Sequence, residues 1–211
     1  MGGLEREAAF WDRAAEKYAA RPVADEEAYA QTLQRVRAHL KPGDRVLEVG
    51  CGTGTTALKL ADAAGAILAT DVSSAMIEIA EKKRAEALAR NVVFKVGAIS
   101  DESLDGEAFD VVAAFNLFHL LDDPAAAMRR AHALLKPGGL MISKTSCLAG
   151  RAWLLGPLIG VMRLLGRAPK VRFFSVAEYD AMIEGAGFEI VETGYFPVSS
   201  TARFVVARKR A

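Results

Sequence analysis

The sequence predicts an α/β fold in which helices cover both faces of a largely parallel sheet. Short apolar segments alternate with longer amphipathic ones along most of the 211 residues. The links between these segments are short, and no internal repeat interrupts the alternation. With 52% hydrophobic residues, the chain can bury a sizeable core, which indicates one large domain.

The order of the elements follows from hydrophobic periodicity and from turn residues. Lys41-Pro42-Gly43 ends one helix, and Ser73 and Asp123 are placed to begin others. Residues 197–200 form a link too short for a parallel crossover, so the last two strands are expected to pair antiparallel. The predicted elements are helices over 4–20 and 25–40, a strand over 45–49, a helix to about residue 64, a strand over 66–70, a helix over 73–90, strands over 92–96 and 109–115, a helix from 124 that closes at 136–139, and strands over 140–146, 187–196 and 201–208.

The most informative segment is the turn after the first strand. The apolar strand runs directly into Gly50-Cys51-Gly52-Thr53-Gly54, with glycine at every second position. Glycine leaves no Cβ where the chain bends sharply and where a ligand touches the backbone. The helix that starts beyond the turn presents free N–H groups to a polar or anionic ligand. We therefore expect a small-molecule pocket at this junction.

The spacing of residues around this turn limits the ligand. Asp71 follows Gly50 by about twenty residues, where a carboxylate can accept both hydroxyls of a ribose. Its alternative role is to cap the helix over 73–90. A nicotinamide dinucleotide site is disfavoured, because G-x-G-x-x-G requires glycine where this chain has Thr55. A P-loop is excluded, since no Gly-Lys-Ser or Gly-Lys-Thr follows the turn.

Five motifs together carry a resemblance to a known family. They are Glu48-Val49-Gly50-Cys51-Gly52-Thr53-Gly54, Thr70-Asp71-Val72-Ser73, Phe109-Asp110-Val111-Val112, Leu135-Lys136-Pro137-Gly138-Gly139 and Glu184-Gly185-Ala186-Gly187-Phe188. With them, the chain resembles a class I S-adenosylmethionine-dependent methyltransferase of the small-molecule type over roughly residues 10–208. The resemblance implies S-adenosylmethionine as cofactor. It also implies a Rossmann-like, doubly wound seven-stranded sheet whose last strand alone is antiparallel.

The resemblance also implies a set of cofactor-binding residues. Asp71 is expected at the ribose, and Tyr18 is expected to close over the cofactor unless it is a core tyrosine. The family commonly carries an acid where this chain has Ala98, so the backbone N–H groups there are left to contact the adenine. The implied residues are Tyr18, Glu48, Gly50, Cys51, Gly52, Gly54, Asp71, Val72, Met76, Ala98, Ile99 and Asn116.

One histidine is a candidate for proton transfer. A methyl group on a sulfonium is already activated, so alignment of the acceptor is the main task and supplies on the order of 7–11 kcal/mol. A general base helps when the acceptor is a hydroxyl, and His119 is the candidate. A structural role for His119 is the alternative. No metal site is predicted, because His39, His119 and His132 lack ligand spacing.

The chain divides into four predicted parts, one of which is an apolar insertion. Residues 1–43 form N-terminal helices, 44–146 the cofactor-binding core, 147–172 an apolar lid, and 173–211 a C-terminal helix and hairpin. The apolar run within 148–166 has about 13 residues, and a membrane span needs ~20. Three interpretations compete: a lid over a pocket for an apolar acceptor, a helix on a membrane surface with basic residues facing headgroups, and a dimer contact or ordinary core.

Composition limits partners and location. The net charge of +1 gives no electrostatic reason for a nucleic-acid partner. Cys51 and Cys147 form no CxxC pair, and the N-terminus lacks the apolar segment of a signal peptide, so a cytoplasmic location is expected. The predicted function is methyl transfer to a small, apolar or lipid-like acceptor. The alternatives are a cofactor-binding sensor that transfers nothing and, less favoured, an NAD(P)-dependent oxidoreductase.

Overall fold

A mixed sheet of seven strands organises the protein. The computed structural model describes residues 3–210. The strands are β1 (Arg45–Val49), β2 (Ala66–Asp71), β3 (Val92–Val96), β4 (Phe109–Phe115), β5 (Leu135–Ser146), β6 (Phe188–Tyr195) and β7 (Ala202–Lys209). Their order across the sheet is β3-β2-β1-β4-β5-β7-β6, with parallel pairing from β3 to β5 and antiparallel pairing of β7 with both its neighbours. The predicted fold, including the antiparallel last strand, is confirmed.

Seven helices connect or flank the strands in the described part of the chain. They are α1 (Gly3–Ala19), α2 (Glu26–Arg37), α3 (Thr55–Leu60), α4 (Ser74–Ala87), α5 (Pro124–Leu134), α6 (Ala152–Leu164) and α7 (Val176–Gly185). Capping side chains fix several of the helix starts. Ser73 accepts a hydrogen bond from the Met76 N–H, and Asp123 accepts one from the Ala126 N–H.

The sheet buries side chains on both faces because successive residues of each central strand point in opposite directions. Val46 and Val111 belong to the core that includes residues of α2, α3 and α4. Leu47 and Val112, one residue further along, belong to the core that includes residues of α5 and α7. The register pairs Leu47 with Val112, which keeps each apolar layer continuous across the sheet.

Several boundaries differ from the sequence prediction. The helices α2 and α4 end at Arg37 and Ala87, about three residues before the predicted ends at 40 and 90. The α-helix α3 ends at Leu60 and continues as a 3-10 helix over Ala61–Ala63, close to the predicted end at about residue 64. The segment 136–139, expected to be a turn that closes α5, lies within β5, which already begins at Leu135. A register shift in the pairing with β4 absorbs the extra residues, and Gly138 adopts the left-handed φ of +73° that this irregularity requires.

The carboxyl ends of β1 and β4 form the point where the strand order reverses. From β1 the chain proceeds outward to β2 and β3, and then returns to β4 on the other side of β1. In open α/β sheets this reversal leaves a crevice beyond the carboxyl ends of the strands, where ligands bind. The glycine turn after β1 and the loop after β4 lie at this crevice.

The apolar insertion forms α6, and none of its residues is buried. At 13 residues, α6 is about 20 Å long, which is shorter than the ~30 Å hydrocarbon core of a bilayer. No helix within residues 3–210 is long and apolar enough to cross a membrane.

Candidate active site

A cavity of about 700 Å³ lies at the carboxyl ends of the parallel strands. Its volume falls in the range of about 300–1,000 Å³ that is typical of small-molecule sites. Residues of α1 and of the segment that follows α6 complete its walls. Nine of the twelve predicted cofactor-binding residues line it: Tyr18, Gly50, Gly52, Asp71, Val72, Met76, Ala98, Ile99 and Asn116.

The glycine turn forms one wall of the cavity with bare backbone. Gly50, Gly52 and Gly54 all have positive φ, of +67°, +53° and +73°, a region that side chains disfavour. A Cβ on Gly50 would lie 2.7 Å from Leu117 Cδ1. A Cβ on Gly54 would overlap the ring of Phe94, so this glycine allows close packing against β3 and does not line the cavity.

Asp71 joins the glycine turn to the start of α4. Its Oδ2 accepts a hydrogen bond from the Gly52 N–H at 2.8 Å, and its Oδ1 accepts one from the Ser73 N–H at 3.0 Å. Burial raises the pKa of Asp71, although these backbone hydrogen bonds oppose the rise. Ser73, not Asp71, caps α4. A carboxylate has about four lone-pair sites, so Asp71 can accept further hydrogen bonds from a ligand in the cavity.

Lys83 also holds the glycine turn, through the hydroxyls of two threonines. Its Nζ donates to Thr53 Oγ1 at 2.9 Å and to Thr55 Oγ1 at 3.0 Å. Burial lowers the pKa of this lysine. The turn is therefore fixed by two side chains of the β2–α4 unit, Asp71 and Lys83, before any ligand binds.

Glu48 and Cys51 lie behind the wall that the glycine turn forms, and they do not line the cavity. Glu48 is only 3% exposed. Burial, with a smaller contribution from the charge of Asp71, raises the pKa of Glu48 to about 8. The Glu48 carboxyl is therefore largely protonated at neutral pH.

The N-terminal helix α1 covers the cavity and is hydrogen-bonded to the start of α4. Asp12 accepts hydrogen bonds from Ser73 Oγ at 2.7 Å and from the Ala75 N–H at 3.1 Å. Burial tends to raise the pKa of Asp12, but these hydrogen bonds outweigh it and lower the pKa. Tyr18 lines the cavity and is 47% exposed, so it is not a core tyrosine.

The end of the cavity beside the carboxyl ends of β2 and β3 has apolar walls. Ala98 lies there, at the position where the family commonly carries an acid. Val72, Met76, Ala98 and Ile99 line this end of the cavity, and Met76 is only 2% exposed. Asp101 accepts a hydrogen bond from the Ser103 N–H at 2.8 Å and does not line the cavity.

Asn116 lies just beyond the end of β4. It adopts a φ of +55°, a left-handed conformation that asparagine tolerates better than most residues, and its N–H donates to the Lys144 carbonyl at 2.7 Å. The exposed Asn116 side chain lines the cavity.

His119 does not line the cavity, although Leu117, Leu120 and Leu121 on either side of it do. Its carbonyl accepts a hydrogen bond from the Arg172 N–H, and its Nδ1 is buried without a hydrogen-bond partner. Burial lowers the pKa of His119 to about 4, so the ring is neutral at pH 7. Its role as a general base stays a prediction that this geometry does not favour.

Glu7 is a carboxyl that the sequence analysis did not identify. It lies on α1 and lines the cavity together with Asp122, Arg163 and Lys170. Burial and the nearby Asp122 raise the pKa of Glu7, whereas Lys170 and Arg163 lower it. Lys170 forms an ion pair with Asp122, which joins the segment after α6 to the loop after β4.

Comparison with known proteins decides the family. A family model described as a methyltransferase domain matches residues 20–193, well over half of the chain. The chain belongs to the class I S-adenosylmethionine-dependent methyltransferases. It is therefore an enzyme that uses S-adenosylmethionine, as the resemblance implied, and the alternatives of a non-catalytic sensor and of an NAD(P)-dependent oxidoreductase are not supported.

Three relatives illustrate the range of the similarity. The ubiquinone biosynthesis O-methyltransferase of Xanthomonas axonopodis pv. citri is 28% identical over 181 residues, which cover 81% of this methyltransferase and 75% of that protein. The CcbJ methyltransferase of Streptomyces caelestis is 25% identical with a TM-score of 0.74, covering 97% of this chain and 99% of that one. A magnesium protoporphyrin IX methyltransferase from Synechocystis PCC 6803 was solved with bound S-adenosylmethionine. It is 18% identical with a TM-score of 0.73, and the match covers 99% of this chain and 98% of that one. At this identity the likeness shows the fold alone.

The residues around the cavity fit S-adenosylmethionine. Gly50 and Gly52 present bare backbone, which allows a ligand to approach closely, and a Cβ at Gly50 would already press on Leu117. The Asp71 carboxylate could accept hydrogen bonds from the ribose hydroxyls, and Val72 and Met76 offer apolar surface against which the adenine could pack.

Replacing Asp71 by Ala is expected to lower the affinity for S-adenosylmethionine by about tenfold to a hundredfold, measured by titration calorimetry. Hydrogen bonds to a charged group contribute about 1.5–3 kcal/mol, and each 1.4 kcal/mol corresponds to about a tenfold change. Asp101→Ala removes the same charge from a side chain that accepts a hydrogen bond from Ser103 of its own loop and does not line the cavity, so it serves as the matched control. Equal affinities for both variants, with both folded by thermal melting, would contradict the assignment of Asp71.

Replacing Glu48 by Gln is expected to change how stability depends on pH. The Glu48 carboxyl has a pKa of about 8 in the folded protein against 4.5 as its ordinary value. Its contribution to stability is therefore complete below pH 4.5 and is lost as the pH rises through 8. Between pH 6 and pH 9 the melting temperature of the wild type should fall by roughly 5 °C more than that of Glu48→Gln.

The control for this measurement is Glu102→Gln, which changes an exposed carboxyl. Its melting temperature should follow that of the wild type across the same pH range, in the absence of cofactor. A Glu48→Gln variant that also follows the wild type would show that Glu48 is ionised at neutral pH.

Proposed function

We propose that this methyltransferase transfers the methyl group to an oxygen of a small, largely apolar acceptor. The observation that carries the proposal is the continuity of the cavity, which runs from the glycine turn to apolar walls beneath α1. Leu4, Phe10 and Trp11 of α1 contribute to these walls, as do Leu117 and Leu121 after β4. An acceptor held there replaces water along most of its surface, which favours an apolar molecule.

The aromatic part of the wall is pre-ordered. The rings of Phe10 and Trp11 meet edge to face with centroids 5.2 Å apart, and Trp11 meets Tyr18 in the same way at 6.1 Å. Edge-to-face pairs are a favourable arrangement of aromatic rings, so these three side chains support one another along one side of α1. A flat aromatic acceptor fits such a wall.

The names of the relatives support oxygen as the receiving atom. The Xanthomonas relative is named as an O-methyltransferase of ubiquinone biosynthesis. That name also indicates an acceptor of apolar character, in agreement with the walls of the cavity. Proteins that share one fold act on different substrates. The proposal for this chain therefore depends on the residues that line its own cavity.

The residues of this chain would orient the acceptor and receive its proton. S-adenosylmethionine supplies an activated methyl group on a positively charged sulfur. Gly50, Gly52 and Asp71 would hold this cofactor beside the acceptor. The carboxylate of Glu7 would receive the proton that the acceptor hydroxyl gives up in exchange for the methyl group. Glu7 lines the cavity, and its raised pKa brings it closer to the range in which a general base works well at neutral pH.

Transfer of a labelled methyl group to a panel of small acceptors tests the function. Phenols with alkyl substituents of increasing length should show increasing kcat/KM, because longer substituents bury more apolar surface. Anilines and thiophenols of the same shape are the matched controls for the receiving atom. Faster transfer to these amines or thiols, or to short polar alcohols, would contradict the proposal.

Replacing Glu7 by Gln is expected to lower kcat with a phenol by about 10²–10⁴-fold, the usual contribution of a general base. The affinity for S-adenosylmethionine should stay within a few fold. Glu16→Gln alters another carboxyl of α1, which is exposed and does not line the cavity, and should leave kcat unchanged. If His119→Asn abolishes turnover while Glu7→Gln does not, the histidine is the base and the assignment of Glu7 is wrong.

A further inference from the structure

The outer face of α6 and the residue after it form a continuous apolar surface. Trp153, Leu154, Leu158, Val161, Leu164 and Leu165 make up this surface, which we call the α6 face. These are six of the fourteen large hydrophobic residues that are exposed within residues 3–210, and Trp153 and Leu164 are 79% and 89% exposed. Residues 154, 158, 161 and 165 recur at helical spacing, so they lie along one side of the helix.

The charged residues of the insertion itself all have the same sign, although Glu7 and Asp122 lie near Arg163 and Lys170 at the cavity. Residues 147–172 contain the five basic residues Arg151, Arg163, Arg167, Lys170 and Arg172, and no Asp or Glu. The wider segment 124–177 also contains no acidic residue. In a chain whose net charge is +1, this local excess of positive charge is a property of the insertion.

We propose that the α6 face docks on a membrane surface rich in anionic headgroups. A helix too short to span a bilayer can lie in the interface with its apolar side among the upper acyl chains. Basic residues beside such a helix then face the headgroups, and their attraction to anionic lipid adds to the burial of apolar surface. The exposed Arg151, Arg167 and Arg172 are available for this contact.

A second copy of this chain is a less suitable partner for the α6 face. A two-fold symmetric contact brings the same surface of both copies together. It would place two sets of basic residues close to each other, and the insertion offers no carboxylate to pair with them. An anionic membrane surface would bury the same apolar face without this repulsion.

Docking in this way also brings the cavity to the membrane. Arg163 in the last turn of α6, and Gly166 and Lys170 just beyond it, line the cavity. An apolar acceptor dissolved in the bilayer would therefore enter without crossing bulk water. This consequence rests on the proposed function, whereas the docking itself does not.

Flotation of the full chain with lipid vesicles tests the docking. The vesicles contain phosphatidylcholine alone or phosphatidylcholine mixed with phosphatidylglycerol. The test variant is Leu158→Glu/Val161→Glu. The matched control is Leu88→Glu/Val93→Glu, which places the same charges at two exposed apolar positions, just after α4 and in β3. Wild type and control should bind the mixed vesicles at least about tenfold more strongly than the test variant, and more strongly than they bind neutral vesicles.

A second measurement follows the tryptophan on the α6 face. The fluorescence of Trp153 should shift to shorter wavelength with the mixed vesicles, and the shift should be absent from Trp153→Phe. Raising the salt from about 0.1 M to about 0.5 M should weaken binding several fold, because it screens the headgroup attraction. These results would support the proposal.

Three results would overturn it: no binding to either kind of vesicle, equal binding of the test and control variants, or equal binding to neutral and anionic vesicles. A dimer that dissociates in the test variant, without vesicle binding, would assign the face to a second copy. Methyl transfer to soluble phenols is measured without vesicles, so failure of the proposed function and failure of the docking are told apart.

Discussion

The bridge made by Asp71 is the interaction on which the rest of the site depends. One carboxylate holds the backbone of Gly52 on one side and that of Ser73 on the other. These two N–H groups belong to the turn after β1 and to the beginning of α4, which lie at the ends of neighbouring strands. The bridge therefore sets the distance between two walls of the cavity. The Asp12 carboxylate accepts a hydrogen bond from the hydroxyl of the same Ser73 and so places α1 relative to this bridge.

The walls of the cavity differ in how firmly the fold holds them. The glycine turn is continuous with the buried sheet and is fixed by Asp71 and Lys83. The opposite wall consists of α1 and the segment after α6, which few buried residues anchor: Ala15 is the only buried residue of α1 and α6 has none among the residues described. Regions with few buried apolar contacts open more readily than the core. The wall formed by the glycine turn is thus the more firmly held, and on the proposed function the acceptor would enter past α1 and the segment after α6.

The sequence predicted the elements and residues whose roles are local. The limits of β1, β3 and β4 agree with the prediction because apolar runs between turn residues define them. The glycine turn and Asp71 were identified because their spacing along the chain reflects two adjacent parallel strands. The start of β5 was predicted incorrectly, since Pro137 and two glycines are typical of a loop. The strand continues through them because Leu135 and Leu140, on either side of the segment, both pair with β4.

Other residues of the site could not be predicted, because their roles arise only from distant contacts. Asp12 meets Ser73 across 61 positions, and Lys83 meets Thr53 across 30. Neither belongs to a motif. Glu7 resembles any acidic residue at the start of an amphipathic helix, and only the folded chain brings it to the cavity. His119 illustrates the converse, since its neighbours in sequence line the cavity while the histidine does not.

The buried Glu48 has a consequence for the turnover of the cofactor. Methyl donation converts a positively charged sulfonium into an uncharged thioether, so the fresh and spent forms of the molecule differ by one unit of charge. An acid of pKa about 8 near the site strengthens the preference for the charged form only when it is ionised. Lowering the pH through about 8 would therefore weaken discrimination between the two forms, and product inhibition would be more severe at neutral pH than in alkaline medium.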